Sequence, residues 1–430
     1  MRALAAAACE RAAFVRGKHY YREQRKVIRG QMTDGQETAI DFDNEIDRAA
    51  AGALKFDGDT MQSLFGTTDL WPSWVADMDF AAAHPIQQAL ARRVRHGVYG
   101  YEAGSDAIPR AVADWYTRRH GWPLEPGHIL FAPRTLTSIV ALITQFSDPG
   151  DGVIVQSPVF YDFKLIVSNH GRRLVKNPLV LESGTYRMDF DQLEEVAARP
   201  ANRLLILCNP HNPIGRVWPA QDLQRLAEIC AANDVFIIAD EIHGDICFRH
   251  DYTPLASLSS DIARNCATCI SPVKSFNLAG VCNSMIVIAD EDRRARCREW
   301  LSRLEINKNN VFATAATLAA YTQGEQWLEQ VTGYLRGNID ALREFLQQRI
   351  PQVTLVEPEG SFLAWLDFRG LELEPRPLAE FLALEAGIAS NPGHWFGREG
   401  AGFARINIAC PRRVLLRALG RLEQAVANRQ

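Results

Sequence analysis

At 430 residues the chain exceeds the roughly 250–300 residues at which single hydrophobic cores stop growing, so two substructures are expected. With 47 basic against 51 acidic residues and a formal net charge of −4, nothing in the charge balance favours nucleic acid or an anionic membrane surface as partner. No uninterrupted apolar run approaches the ~20 residues that cross a bilayer, which excludes an ordinary membrane-spanning helix.

The first forty residues are basic and alanine-rich, and end in the polar stretch MTDGQETAI. Their apolar run, residues 3–9, is short for a signal-peptide core, and Glu10 and Glu23 interrupt any Arg-rich targeting helix. The expectation is an extension over 1–40 that stands outside the fold. The nine cysteines are odd in number and scattered from Cys9 to Cys410, which fits a reducing cytoplasm better than a disulfide framework.

Along the chain, residues 86–96 (IQQALARRVRH) carry the apolar spacing of an amphipathic helix, ended by Gly97 and followed by a turn at Tyr99-Gly100-Tyr101. Short apolar runs at 153–156, 204–208 and 235–239 read as strands buried on both faces, the pattern of a parallel sheet, with a helix over 220–232 between two of them. In the strand-like run holding Cys266 and Cys269, residues three apart face opposite sides. The pair therefore reads as two buried small hydrophobes rather than a redox or metal couple. Residues 284–288 suggest a further strand. After about residue 330 the pattern changes: a long helix near 327–350 leads to strand-like segments at 361–368 and 403–408 and a closing helix. The whole is an α/β chain. A large domain over 86–329 has a mostly parallel central sheet flanked by helices, and residues 41–85 join 330–430 in a smaller α+β domain.

Open α/β sheets place ligands at the C-terminal ends of their strands. After 204–208 comes Asn209-Pro210-His211-Asn212-Pro213-Ile214-Gly215, which can continue neither strand nor helix and so forms a shaped loop. After 235–239 stands Asp240, a carboxylate at the tip of an apolar strand that must be paired or sit at a site. Lys274 then appears in the mostly uncharged stretch SPVKSFNLAG, surroundings that depress a lysine pKa and make it a usable nucleophile. An Asn loop, a strand-end Asp and an isolated Lys, in that order, are what pyridoxal phosphate needs: a partner for the ring hydroxyl, an anion for the ring nitrogen, and a Schiff-base amine. Asp240, His243 and Asp245 lack any further ligands at zinc-like spacing, so no metal is expected.

These segments, with VADMDF (75–80), HGVYGY (96–101), NPHNPIGR (209–216), DEIH (240–243), NPGHWFG (391–397) and RINIACPR (405–412), resemble the pyridoxal-phosphate enzymes of the aspartate-aminotransferase fold. More narrowly, the chain resembles the cystathionine β-lyase and cystalysin-like C–S lyases over some nine-tenths of its length. The resemblance implies fold type I and assigns roles to single residues. Lys274 is the Schiff-base amine and the base at Cα, Asp240 partners the pyridine nitrogen, and Asn212 the phenolic oxygen. His243 stands where aminotransferases often carry tyrosine, Arg405 grips the substrate carboxylate, and Tyr101 reaches across a homodimer interface into the neighbour's site. Ser271 and the N–H groups of Thr135 and Leu136, at a helix start, take the phosphate.

Three positions depart from the family pattern. The ring-stacking tyrosine is Phe160, unless the register slips by one and Tyr161 does the job. The phosphate loop reads Pro133-Arg134-Thr135-Leu136, with Arg134 on either the phosphate or solvent. Val273 replaces a small or hydroxylated residue before Lys274. The implied reaction is α,β-elimination from a cysteine S-conjugate to thiol, pyruvate and ammonia. The alternatives are an aminotransferase built on the same residues and, from another class, a catalytically silent regulatory member.

Overall fold

Seven short segments between residues 129 and 287, most of them apolar runs, come together as one sheet: β1 (Ile129–Ala132), β2 (Gly152–Val155), β3 (Arg173–Lys176), β4 (Asn202–Cys208), β5 (Phe236–Asp240), β6 (Cys266–Ile270) and β7 (Ser284–Val287). The computed structural model describes residues 40–429 except 104, 250, 282 and 309, so all but the last residue of the expected extension lies outside the described residues. The strand order is β1-β7-β6-β5-β4-β2-β3; β7 runs antiparallel to both neighbours and every other pair is parallel.

Strand alternation divides the core between two faces. Leu204, Ile206 and Cys208 pack on one side with helix α1 (Thr135–Phe146), through Ile139 and Leu142. Leu205 and Leu207 pack on the other with helix α2 (Ala220–Ala232), through Leu223 and Leu226. With helices on both faces there is no polar side to alternate toward, which explains the unbroken apolar runs. Each such side chain contributes roughly 1.5–3 kcal/mol on burial. Cys266 and Cys269 fall on opposite faces, as the three-residue spacing requires, and both are buried.

A second, antiparallel sheet has the order β8-β9-β11-β10, formed by β8 (Thr354–Val356), β9 (Leu363–Asp367), β10 (Asn391–Pro392) and β11 (Phe403–Asn407). The expected boundary at 330 falls inside helix α3 (Glu325–Arg349). Its Trp327, Leu328, Val331 and Leu335 join the cluster of Trp115 and Phe276 beside the large sheet. Its Ile339, Leu342 and Leu346 join Leu366, Ile406 and Leu415 under the small one. The apolar stripe continues unbroken while its packing partner changes, so the chain passes between units along a helix and not through a linker. Residues 41–85 are likewise shared: Phe42, Met78 and Phe80 pack with the first cluster, Trp71 with the second.

Within the large sheet Cys208 is level with Asp240, and Asp240 with Cys269. Three adjacent parallel strands therefore deliver their following loops to one edge.

Candidate active site

Asp240 ends β5 buried, and its carboxylate has one hydrogen-bond partner among the described residues, the Ile242 N–H at 3.4 Å. Burial raises its pKa to about 7, with the Ile242 N–H and the Lys274 cation pulling the other way. Lys274 sits on the four-residue turn of helix Pro272–Ser275 and donates to the Ala76 carbonyl at 2.6 Å. Burial, then the neighbouring Arg405 cation, lowers its pKa to about 8. This is the depressed lysine that its uncharged sequence surroundings predict.

Arg405, on β11, is buried and held by three acceptors: Asn212 Oδ1 at 2.9 Å, the Trp74 carbonyl at 3.0 Å and Asn391 Oδ1 at 2.6 Å. Its Nε and the Asn391 Nδ2 are buried without a partner, so donors remain unused at this spot. Asn212 thus reaches across from the β4 loop to a small-sheet residue 193 positions away in sequence. His243 is buried; burial and the Lys274 and Arg405 cations push its pKa well below the ordinary value, leaving a neutral ring. Its Nδ1 lies 3.1 Å from the Ser361 hydroxyl.

Phe160 and Tyr161 point to different neighbourhoods. Phe160 packs with the α1 cluster and Phe163. Tyr161 packs against Trp395 and Phe396, and its pKa is raised by burial and lowered by Arg405. Thr135 and Leu136 open α1, and Arg134 precedes them in extended conformation with an exposed side chain. The Ser271 hydroxyl donates to the Asn283 carbonyl and caps the Lys274 helix through the Val273 N–H at 3.3 Å. Any phosphate it held would compete with those bonds. Tyr101 is fully exposed, beside the exposed Val98 and Tyr99.

Residues 77–422 match the family model for aminotransferase class I and II. The chain belongs to that family. Within it, cystathionine beta-lyase PatB of Bacillus subtilis is 38% identical over 90% of this chain and 100% of its own length. Protein MalY of Escherichia coli is 31% identical over 90% and 99% respectively. The crystal structure of cystalysin from Treponema denticola, which contains pyridoxal 5′-phosphate, superposes with a TM-score of 0.87 at 30% identity, covering 91% of this chain and all of that one.

Beyond the residues expected from sequence, this member of the aminotransferase family builds its site from two segments that sequence reading left without a role. The first is 74–80, whose backbone meets Lys274 and Arg405. Its carbonyls at Trp74, Ala76 and Asp77 take hydrogen bonds from Arg405, Lys274 and Asn407, and Asn277 clasps it at Met78 and Phe80. The second is 358–362. Gly215 adopts φ +70°, and a Cβ there would sit 2.8 Å from Pro358; its carbonyl accepts from the Glu359 and Gly360 N–H groups. Glu359 also takes Arg216 and the Val217 N–H. The first was visible only as the motif at 75–80 and the second only as the start of a strand-like segment at 361–368, since their contacts join residues more than a hundred positions apart.

Five residues after Asp240, Asp245 receives Trp115 Nε1 at 2.9 Å, His120 Nε2 at 2.8 Å and Ser275 Oγ at 2.7 Å. Its donors are therefore protein groups, and among the described residues no group of three His, Cys, Asp or Glu could hold a metal ion. No described helix is long and apolar enough to cross a membrane.

Proposed function

We propose that the protein is a pyridoxal-phosphate-dependent carbon–sulfur lyase that removes the sulfur substituent of a cysteine S-conjugate, releasing thiol, pyruvate and ammonia. What carries the reading is a buried, under-partnered Asp240 beside a pKa-depressed Lys274 and a buried Arg405 with donors to spare. This set stands in a chain that aligns along nearly the whole length of relatives named as cystathionine β-lyases.

The residues fit the cofactor. A carboxylate buried with one weak amide partner is costly unless a cation meets it, and a protonated pyridine nitrogen is such a cation. The amides of Thr135 and Leu136, at the start of a twelve-residue helix, suit a phosphate, with the exposed Arg134 left to solvent or to the outer phosphate field. Phe160 lies on the α1 side and suits the ring face, while Tyr161 lies toward Arg405 and suits the substrate end. Asn212 would serve both the phenolic oxygen and Arg405.

When bound, the cofactor supplies an electron sink that makes the Cα proton of an amino acid labile. Lys274 takes that proton; a pKa near 8 leaves enough free amine at neutral pH for the work. Arg405 holds the substrate carboxylate with its planar fork, already fixed in place by Asn212, Trp74 and Asn391. The sulfur leaves from Cβ as thiolate, a better leaving group than the alkoxide of serine because thiols are stronger acids. Tyr101, exposed on one chain, completes the site of a second copy in a homodimer.

Product analysis tests the chemistry. With L-cystathionine or an S-alkyl cysteine, thiol, pyruvate and ammonia should appear in equal amounts with no keto acid added. Turnover that depends strictly on a keto-acid acceptor would establish an aminotransferase instead. Subunit exchange tests the shared site: Lys274→Ala and Tyr101→Ala proteins should each be nearly inactive, and an equal mixture should regain about a quarter of wild-type activity. A mixture that stays inactive after proven exchange places Tyr101 outside the neighbour's site.

A further inference from the structure

The segment at Ser361 carries an unexplained strain. Its backbone has φ +71°, a conformation that favours glycine, yet the residue is a buried serine. Three contacts impose the conformation: the Ser361 N–H donates to the Ile246 carbonyl at 2.8 Å, the Gly360 N–H to the Gly215 carbonyl at 2.9 Å, and the Glu359 N–H to Gly215 at 2.8 Å. The chain is thus pinned between the Asn212 loop and the loop that follows Asp240. A glycine would meet that backbone demand at lower cost, so the hydroxyl must return something.

The hydroxyl has one partner. Ser361 Oγ lies 3.1 Å from His243 Nδ1, and no other acceptor for it stands among the described residues. A buried O–H needs an acceptor. Nδ1 can accept only when it carries no proton. The ring is neutral, because burial and the two cations facing it, Lys274 and Arg405, oppose a positive charge. A neutral imidazole without a proton on Nδ1 bears it on Nε2. Nε2 itself has no hydrogen-bond partner among the described residues.

We propose that Ser361 is a positioning residue that fixes His243 as the Nε2–H tautomer, so that the ring presents a hydrogen-bond donor, not a lone pair, to the cofactor's phenolic oxygen. The proposal rests on the cofactor placement given above, with His243 beside Asn212 at the phenolic oxygen as the family resemblance implies, but not on whether the chain is a lyase or an aminotransferase. A donor at that oxygen stabilises its anionic form. It therefore lowers the pH at which the Lys274-linked cofactor loses its proton and its visible band shifts. Removing the control leaves His243 able to flip to the other tautomer, which offers a lone pair and repels the anion.

The experiment titrates the visible band of cofactor-loaded protein with pH. Ser361→Gly suits the backbone at φ +71° and should fold. Its transition should move upward by about half to one pH unit, the size of one neutral hydrogen bond. On a His243→Phe background the same substitution should add no further shift, because the serine acts through the ring. A wild-type transition in Ser361→Gly, or an equal shift on both backgrounds, overturns the proposal. Independently of any change at Ser361, nitrogen-15 spectra of histidine-labelled, cofactor-free protein should show His243, assigned by its disappearance in His243→Phe, with the proton on Nε2. A proton on Nδ1 overturns the proposal as well. Should no cofactor bind at all, the placement of the site fails, whereas the tautomer measurement still decides the role of Ser361.

Discussion

Asp240, at the tip of β5, and Asp245, in the loop that follows, lie five residues apart and both are buried, yet they are opposites. Asp240, at the pocket, has a single amide partner at 3.4 Å, and burial raises its pKa to about 7. Asp245, in the layer behind, accepts from Trp115, His120 and Ser275, and these donors hold its pKa below the ordinary value despite a burial penalty that pushes upward. Burial alone does not fix the state of a carboxylate; the number of donors does. The difference separates two kinds of region. At the strand tips, charges are left short of partners because a ligand is to supply them. One layer back, three donors are spent on holding loops in place: Ser275 follows Lys274 directly, so Asp245 ties the lysine's turn to the loop that follows Asp240 and carries His243.

The comparison breaks most severely at Lys274. Lys274→Ala should reduce turnover by at least about 10³–10⁴-fold, since it removes both base and covalent anchor. Borohydride should then fail to fix the cofactor to the chain, and retained wild-type turnover would refute the role. Next comes Asp245→Ala, which strands three buried donors. It should cost roughly 3–5 kcal/mol in denaturant unfolding, and a loss under about 1 kcal/mol would show that the rear layer is not the anchor described.

Asp240→Asn should do the reverse in cofactor-free protein. Folded Asp240 titrates near 7 against 3.8 for the free side chain, so its contribution to stability is full below about pH 4 and is lost as pH rises through 7. The amide escapes that loss. The variant should therefore be more stable by about 1–4 kcal/mol at pH 8, with the gain vanishing near pH 4, while turnover collapses. Equal melting at both pH values would mean that the carboxylate finds a partner unaided. The smallest effect is expected at Arg405, which is positioned by three acceptors. Arg405→Lys keeps the charge but loses the fork, and should raise KM about 10–100-fold with a lesser change in kcat. An unchanged KM would remove Arg405 from the carboxylate site.

Much of this was legible beforehand, for identifiable reasons. Strands covered on both faces appear as unbroken apolar runs, so β2, β4 and β5 emerged within a residue or two of their ends. A charge at the end of such a run is conspicuous, so Asp240 and Lys274 stood out. The orientation of β7 did not, because an apolar run looks the same in either direction. Nor did the passage between units, because the stripe of α3 has one period whichever core it meets.

What the sequence determined by itself was local: where the backbone must be extended or helical, and which polar groups interrupt apolar surroundings. Periodicity and composition are properties of neighbouring residues, and they need no partner to be read. Tertiary structure alone decided which groups are satisfied. Arg405 meets Trp74 from 331 positions away, Lys274 meets Ala76 from 198, and His243 meets Ser361 from 118. Protonation state and tautomer follow from those encounters, because a buried group takes its charge and its proton from whatever the fold sets within about 3 Å of it.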